Sequence, residues 1–171
     1  KPGNIATLVS SMAQIASGAP DLPFYYYEIP SMSGINLSPS DFLSQAAEQI
    51  PNLAGIKFTS NNLMEYQLCR AFRGGSFDLP FGFDEIMLGA LALGATGAVG
   101  SSFNFAAPIY LRVMKAFAAG DLTTARAEQF RWDAVLASYE DALRRVGGYP
   151  PAPDRAARAT AVAPVAAPAG P

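Results

Sequence analysis

Two spacings of apolar residues succeed one another along the chain. In residues 4–17 the apolar positions recur every three or four residues, which predicts an amphipathic helix with Asn4 as its N-cap. Short aromatic or β-branched runs bounded by proline or glycine predict buried strands. The predicted strands are residues 24–29, 55–59, 77–83 and 97–102. The predicted helices are residues 4–17, 38–50, 62–72, 84–93, 108–119 and 122–146.

The alternation of these strands and helices predicts an α/β protein. Strands that recur every 20 to 30 residues or so, with a helix between them, are typical of parallel β/α units. Pro80 lies inside the third strand, so it must lie where the missing N–H is tolerated. Residues 149–171 are rich in alanine and proline without apolar periodicity, which predicts a disordered tail after one folded domain over residues 1–148.

Composition and charge exclude several classes of function. The chain has 171 residues, half of them hydrophobic, and a net charge of −2 without a basic cluster, so nucleic acid is not an expected partner. The uncharged run over residues 86–107 is interrupted by glycine and polar residues, which argues against a membrane helix. No secretion signal is evident, and Cys69 alone excludes an internal disulfide and fits a reducing compartment. A chain that begins at Lys1 is expected to be a fragment or a processed form.

The chain contains no histidine. Within this chain, catalysis by Ser-His-Asp or Cys-His groups and histidine metal sites are therefore excluded. Chemistry near neutral pH has to come from lysine, tyrosine, carboxylates or the backbone.

The most informative residue is a lysine in an apolar strand. Side chains alternate along a strand, so Ile56 and Phe58 face one side while Lys57 and Thr59 face the other. Because an ammonium group is costly to bury alone, Lys57 either forms an ion pair, with Glu28 or Asp84, or serves as an amine nucleophile. Nucleophilic attack on a carbonyl requires the neutral amine, which desolvation would favour.

Ligands of parallel β/α proteins bind at the carboxyl-terminal ends of the strands. The residues predicted at these ends are Tyr27, Lys57 with Thr59, Gly82 with Asp84 and Glu85, and Gly100 with Ser101. Each has a simpler interpretation as well. Tyr27 follows other strand aromatics, Asp84 and Glu85 suit a helix cap and first turn, and the glycines of residues 94–101 suit a helix stop better than a phosphate loop.

Four ordered segments carry a family likeness. They are Tyr-Glu-Ile-Pro at 27–30, Gly-Ile-Lys-Phe-Thr at 55–59, Gly-Phe-Asp-Glu at 82–85 and Gly-Ala-Thr-Gly-Ala-Val-Gly-Ser at 94–101. Together they resemble the N-acetylneuraminate lyases, which belong to the class I aldolase superfamily that includes dihydrodipicolinate synthase. The resemblance extends from residue 1 to about residue 148.

The resemblance implies a (β/α)8 TIM barrel, of which this chain carries the second half: four parallel β/α units and a C-terminal helix. It also implies a lyase that cleaves N-acetylneuraminate (sialic acid) to pyruvate and N-acetylmannosamine through a lysine Schiff base, without a metal or another cofactor. On this basis Lys57 forms the Schiff base and Tyr27 donates and accepts protons. The positions that match substrate-binding residues are Thr59, Gly82, Asp84, Glu85 and Ser101.

The same resemblance implies a small sugar acid or pyruvate as ligand, a homotetramer and a cytoplasmic location. The first half of the barrel is missing, with its carboxylate-binding loop, and the Ala/Pro segment stands where the family continues with helices. Three alternatives stay open. The chain could be a dihydrodipicolinate synthase or related 2-keto-acid aldolase, an inactive half-barrel that associates with full-length subunits, or, as a distant third, a phosphate-binding barrel.

Overall fold

The computed structural model describes residues 1–148, except for the side chain of Trp132. The predicted tail over residues 149–171 lies outside the described residues. The strands are β1 (Phe24–Glu28) and β2 (Leu53–Phe58). The α-helices are α1 (Ile5–Ala16), α2 (Pro30–Ser33), α3 (Pro39–Gln49), α4 (Leu63–Ala71), α5 (Met87–Ala92), α6 (Phe103–Ala118), α7 (Leu122–Gln129) and α8 (Trp132–Gly147). Two 3-10 helices cover Phe72–Gly75 and Asp84–Ile86.

The first three long helices begin where their capping residues predict. The Asn4 side chain accepts a hydrogen bond from the amide of Thr7, and Ser38 does the same for Asp41, with Pro39 in the first helical position. Asn62 caps α4 in the same way. These side chains satisfy amide groups that a helix leaves without intrahelical partners, so the predicted starts of the helices are confirmed.

The centre of the fold is the parallel pair β1–β2. The register places Tyr27 opposite Lys57, and Glu28 opposite Phe58. Ile56 and Phe58 are fully buried against helices α1, α3 and α4, whereas Lys57 on the other face is half-buried. The predicted alternation of this strand is therefore confirmed.

The third and fourth predicted strands are present only as single bridging pairs, which is a correction. Residues 77–83 run parallel to β2 through hydrogen bonds from Ile56 N to the Asp78 carbonyl and from Phe58 N to the Pro80 carbonyl. The rung between them is missing because Pro80 has no N–H to donate to the Ile56 carbonyl. Phe81 in turn bridges to Ala98, so residues 97–102 contribute one pair and no regular strand.

The C-terminal helices differ from the prediction as well. Helix α6 begins at Phe103, before the predicted start, and accommodates Pro108 through a non-helical conformation at Ala106. The predicted helix over residues 122–146 is two helices, because the chain breaks after Gln129. The buried Gln129 side chain accepts from Leu88 N and donates to the Asp84 carbonyl, and this tertiary anchor coincides with the break. Helices α7 and α8 both pack on α6.

Two apolar clusters stabilise these elements. One lies between β1–β2 and helices α1, α3 and α4, and the other joins α5, α6 and α8. No helix among residues 1–148 is long and apolar enough to cross a lipid bilayer. The face of the sheet that carries Tyr27 and Lys57 is left without a covering helix layer in this part of the chain, and Tyr27 is 47% exposed there.

Candidate functional site

The paired strands bring Lys57 and Tyr27 together. The two residues are direct partners in the parallel register, and the Lys57 Nζ atom lies 3.9 Å from the centroid of the Tyr27 ring. A cation over an aromatic face is attracted by the ring quadrupole, which holds the amine above the tyrosine. Within residues 1–148 Lys57 forms no ion pair, so the alternative of pairing with Glu28 or Asp84 is wrong for this part of the chain.

Glu28 cannot reach Lys57 because it lies on the opposite face of the sheet, level with Phe58. It is 5% exposed, and its Oε2 atom accepts a hydrogen bond from Thr59 N at 3.1 Å. Burial raises the pKa of the Glu28 carboxyl to about 7 against the opposing effect of the Thr59 amide, and the nearby Glu65 raises it further. No pattern in the sequence indicates that this acid connects the ends of the two strands.

Thr59 and Gly82 are adjacent in space. The Thr59 Oγ1 atom is buried and has no hydrogen-bond partner in the described structure. A Cβ atom at position 82 would collide with this oxygen, so the hydroxyl occupies the space that a side chain at position 82 would fill. A buried hydroxyl without a partner is costly, and it is a suitable contact for a polar ligand.

Asp84 does not cap a helix, which corrects the simpler interpretation of this residue. Its Oδ2 atom accepts hydrogen bonds from Ser102 N at 2.7 Å and Ser102 Oγ at 2.5 Å, and the Tyr110 hydroxyl lies 2.8 Å from Ser102 Oγ. The other carboxylate oxygen, Oδ1, is buried without a partner beside Gly100, where a Cβ atom would collide with it. One oxygen of Asp84 is therefore fixed and the other is free to accept.

Ser102 and Tyr110 are residues that the sequence analysis missed. Burial raises the pKa of Tyr110, so its hydroxyl stays protonated and able to donate. Ser101, the serine that the family resemblance implies, is exposed, and its carbonyl accepts hydrogen bonds from Asn104. The neighbouring serine at the start of α6 was a weak signal, since serine is common at helix starts for capping alone.

Glu85 is the predicted site residue that the structure separates most clearly from the others. It is exposed and lines a groove between α5 and α7, together with Leu122 and Phe130. Within residues 1–148 it makes no ion pair, and no hydrogen bond joins it to Lys57 or Thr59. The structure therefore brings together Lys57 with Tyr27, Thr59 with Gly82, and Asp84 with Gly100 at consecutive positions along one rim of the sheet.

No three His, Cys, Asp or Glu residues within residues 1–148 are grouped closely enough to hold a metal ion. The groups that can do chemistry here are an amine, a phenol and two polar oxygens without partners. An amine in reach of a phenol can form an imine with a carbonyl compound while the phenol exchanges protons.

A lysine that contacts a tyrosine at the rim of a parallel sheet identifies this chain as a β/α protein with a candidate amine-based active site. The chain belongs to the Dihydrodipicolinate synthetase family, whose sequence model matches residues 2–141. This finding confirms the superfamily that the four sequence segments indicate.

Individual relatives point to one branch of this family. The chain is 39% identical to N-acetylneuraminate lyase A of Xenopus laevis over 165 residues, covering 91% of this chain and 54% of the relative. The solved N-acetylneuraminate lyase (sialic acid aldolase) of Aliivibrio salmonicida is 48% identical with a TM-score of 0.73, covering 75% of this chain and 43% of that protein. For Proteus mirabilis N-acetylneuraminate lyase the identity is 36% and the TM-score 0.76, covering 91% and 56%. The chain thus spans about half the length of the relatives it matches.

Proposed function

We propose that this chain is the second half of a (β/α)8 barrel and that it supplies the catalytic residues of a Schiff-base lyase for N-acetylneuraminate. The single observation that carries the proposal is the position of Lys57 Nζ over the Tyr27 ring on the face of the sheet that would line such a barrel. The relatives named N-acetylneuraminate lyase support the choice of substrate.

In this proposal the neutral Lys57 amine attacks the keto carbon of the substrate, water leaves, and the resulting iminium withdraws electrons from the carbon–carbon bond. Tyr27 takes the proton from the substrate hydroxyl as that bond breaks, which releases N-acetylmannosamine. The enamine on Lys57 then regains a proton, and hydrolysis releases pyruvate. No metal takes part in these steps.

The remaining polar groups would hold the sugar acid. Thr59 Oγ1 and Asp84 Oδ1 are the two buried side-chain polar atoms of the described residues without a hydrogen-bond partner, and each fills the space that a side chain would take at the neighbouring glycine. A substrate with several hydroxyl groups can donate to both oxygens, and this would remove the cost of leaving them unpaired. Gly82, Glu85 and Ser101 complete the proposed substrate-binding set on the strength of the resemblance.

The test is reductive trapping. The folded chain is incubated with pyruvate and borohydride, and the adduct is located by peptide mass mapping. We expect a pyruvate adduct on Lys57 that is absent from Lys57→Arg, while Lys115→Arg on the surface of α6 retains it. Folded protein that gives no adduct at Lys57 would refute the proposal for this chain.

A second candidate is that the chain acts only as part of a larger assembly. It spans about half of its relatives, and Tyr25, Tyr27 and Val99 are exposed on or beside the sheet that a complete barrel would enclose. In this case size-exclusion chromatography would show a stable complex with the first half of a related lyase, and turnover would require that complex.

A dihydrodipicolinate synthase or another 2-keto-acid aldolase is the alternative within the enzyme class. Comparing the aldehydes that the enzyme accepts distinguishes these activities from N-acetylneuraminate cleavage. A tetrameric cytoplasmic enzyme is the form that the resemblance implies.

A further inference from the structure

Glu28 closes the last rung between β1 and β2. The amide of Thr59 donates to two atoms of Glu28 at once, the backbone carbonyl at 2.9 Å and the carboxylate Oε2 at 3.1 Å. Glu28 follows Tyr27 directly, and Thr59 is two residues beyond Lys57. The side chain therefore joins the two backbone segments that carry the lysine and the tyrosine, from the face opposite to them.

We propose that Glu28 is a positioning residue whose carboxylate holds the Lys57 amine over the Tyr27 ring by tying Thr59 to the end of β1. The inference rests on the proposed function, and no role in substrate contact is implied because Glu28 faces the helix layer. A hydrogen bond to an ionised acceptor is shorter and stronger than one to a neutral acceptor. The strength of the hydrogen bond between the Thr59 amide and the Glu28 carboxyl therefore depends on whether Glu28 is ionised.

The surroundings of Glu28 allow its charge to change near neutral pH. A cavity of about 460 Å³ opens beside it, lined also by Ser60, Asn61 and Glu65, and this cavity gives water access to the carboxyl. With a pKa of about 7, Glu28 is neutral in mild acid and ionised in mild base. The Thr59 amide favours the ionised form, which means that the hydrogen bond is stronger in that form.

The other ionisable groups around Glu28 come from β1 and α4. Tyr26 shares its face of β1, and burial raises the pKa of that phenol, so it stays neutral. On α4, burial raises the pKa of the Cys69 thiol to about 12, and Glu65 is the acidic neighbour that opposes ionisation of Glu28. Glu65 itself accepts from Ser38 Oγ and Ser40 N, and therefore supports α3 and not β2.

The first experiment follows the Thr59 amide by NMR in the full chain across neutral pH. We expect its resonance to titrate with a midpoint near the pKa of Glu28, and to lose that titration in Glu28→Gln, which keeps a neutral acceptor of similar size. Glu65→Gln should move the midpoint to lower pH, since it removes a neighbouring negative charge. The exposed carboxyl of Glu48 on α3 offers a matched control, and Glu48→Gln should leave the titration unchanged.

The second experiment measures the position of the amine. A methylene group held over an aromatic ring has an upfield proton shift, so the Lys57 Hε resonances report the contact with Tyr27 without any reaction. We expect this shift to be reduced most in Glu28→Leu, which has no acceptor, and less in Glu28→Gln, whose neutral acceptor forms the weaker hydrogen bond.

The third experiment measures the rate of borohydride trapping with pyruvate. The ratio of wild type to Glu28→Gln should rise by ~3-fold between about pH 6 and about pH 8, since the ionised acceptor forms the stronger bond. If the ratio of trapping rates did not change with pH while the Thr59 amide titrated, Glu28 would have a purely structural role and the inference would be overturned. An unchanged Lys57 Hε shift in Glu28→Leu, or a Thr59 amide that does not titrate, would overturn it as well. Absence of trapping in the wild type would instead contradict the proposed function, and the two NMR experiments would still decide the inference.

Discussion

Ser102 donates both its backbone amide and its hydroxyl to the same carboxylate oxygen of Asp84, at 2.7 and 2.5 Å. This arrangement fixes the carboxylate from one side and leaves the second oxygen without a partner, next to Gly100. A group held in this way is pre-organised to accept a hydrogen bond from a ligand, because little side-chain freedom remains to be lost when the ligand binds.

The first prediction concerns Ser102. Ser102→Ala removes the hydroxyl donor to a buried carboxylate, so the free energy of unfolding should fall by about 1–3 kcal/mol. Urea unfolding followed by circular dichroism measures the change. Ser101→Ala is the matched control, since that side chain is exposed, and it should change stability by less than about 0.5 kcal/mol. Equal effects of the two substitutions would contradict the assigned hydrogen bond.

The second prediction uses the glycine beside Asp84. A Cβ atom at position 100 would collide with the Asp84 carboxylate, so Gly100→Ala should displace that side chain and destabilise the fold by about 1–3 kcal/mol. At Gly97 a Cβ atom meets no neighbour within 4 Å, so Gly97→Ala should be close to neutral. Thermal unfolding of the two variants checks the contrast, and a fully stable Gly100→Ala protein would show that Asp84 is placed elsewhere.

The third prediction separates the two catalytic roles. Tyr27→Phe keeps a ring beneath the Lys57 amine but removes the proposed proton carrier. The borohydride adduct with pyruvate should therefore still form on Lys57, while exchange of deuterium into the pyruvate methyl group should slow by about 10²–10⁴-fold. Mass spectrometry and proton NMR measure these two quantities. Tyr25→Phe, a change at a neighbouring exposed tyrosine of β1, should affect neither. If exchange were as fast in Tyr27→Phe as in the wild type, Tyr27 would not be the proton carrier.

The fourth prediction concerns stability and pH. Burial raises the pKa of Glu28 from 4.5 to about 7, so the folded state binds more protons than the unfolded state between these values. The contribution of this group to stability is complete below about pH 4.5 and is lost as pH rises through about 7, amounting to about 3 kcal/mol at most.

The glutamine of Glu28→Gln cannot ionise, so this variant should not lose stability in this way as the pH rises. The difference in unfolding free energy between Glu28→Gln and the wild type should therefore rise in favour of the variant across this pH window and then level off. Urea titrations at several pH values measure it, with Ser101→Ala, which changes an exposed residue and no ionisable group, as the control whose difference stays flat. A difference for Glu28→Gln that does not depend on pH would mean that Glu28 titrates normally.

Local features of the sequence were enough to predict much of the fold. The start of α1 at Asn4, the start of α3 at Ser38 and the strand around Lys57 all depend on side chains within a few residues, and all three are confirmed. Capping, proline at the first helical position and strand alternation act over short distances, so they can be recognised without knowledge of the fold. The family likeness of the four segments is confirmed by the match to residues 2–141.

The sequence alone failed where a distant partner decides the structure. The break between α7 and α8 coincides with Gln129, whose side chain binds the segment around Asp84. Residues 77–83 do not form a regular strand because Pro80 cannot donate a hydrogen bond to β2. Asp84 has the sequence context of a helix cap, yet its carboxylate binds Ser102, eighteen residues later.

The type and order of most elements, the position of Lys57 on the face of its strand opposite to Ile56 and Phe58, and the family all follow from the sequence. The tertiary structure alone decided that Lys57 lies over Tyr27 and not beside Glu28, that Glu28 ties Thr59 to β1, and that Ser102 fixes Asp84. The reason is physical. Helix caps and strand alternation arise between neighbours in the chain, whereas the register of parallel strands and the partners of buried polar groups arise from contacts between segments that the sequence separates.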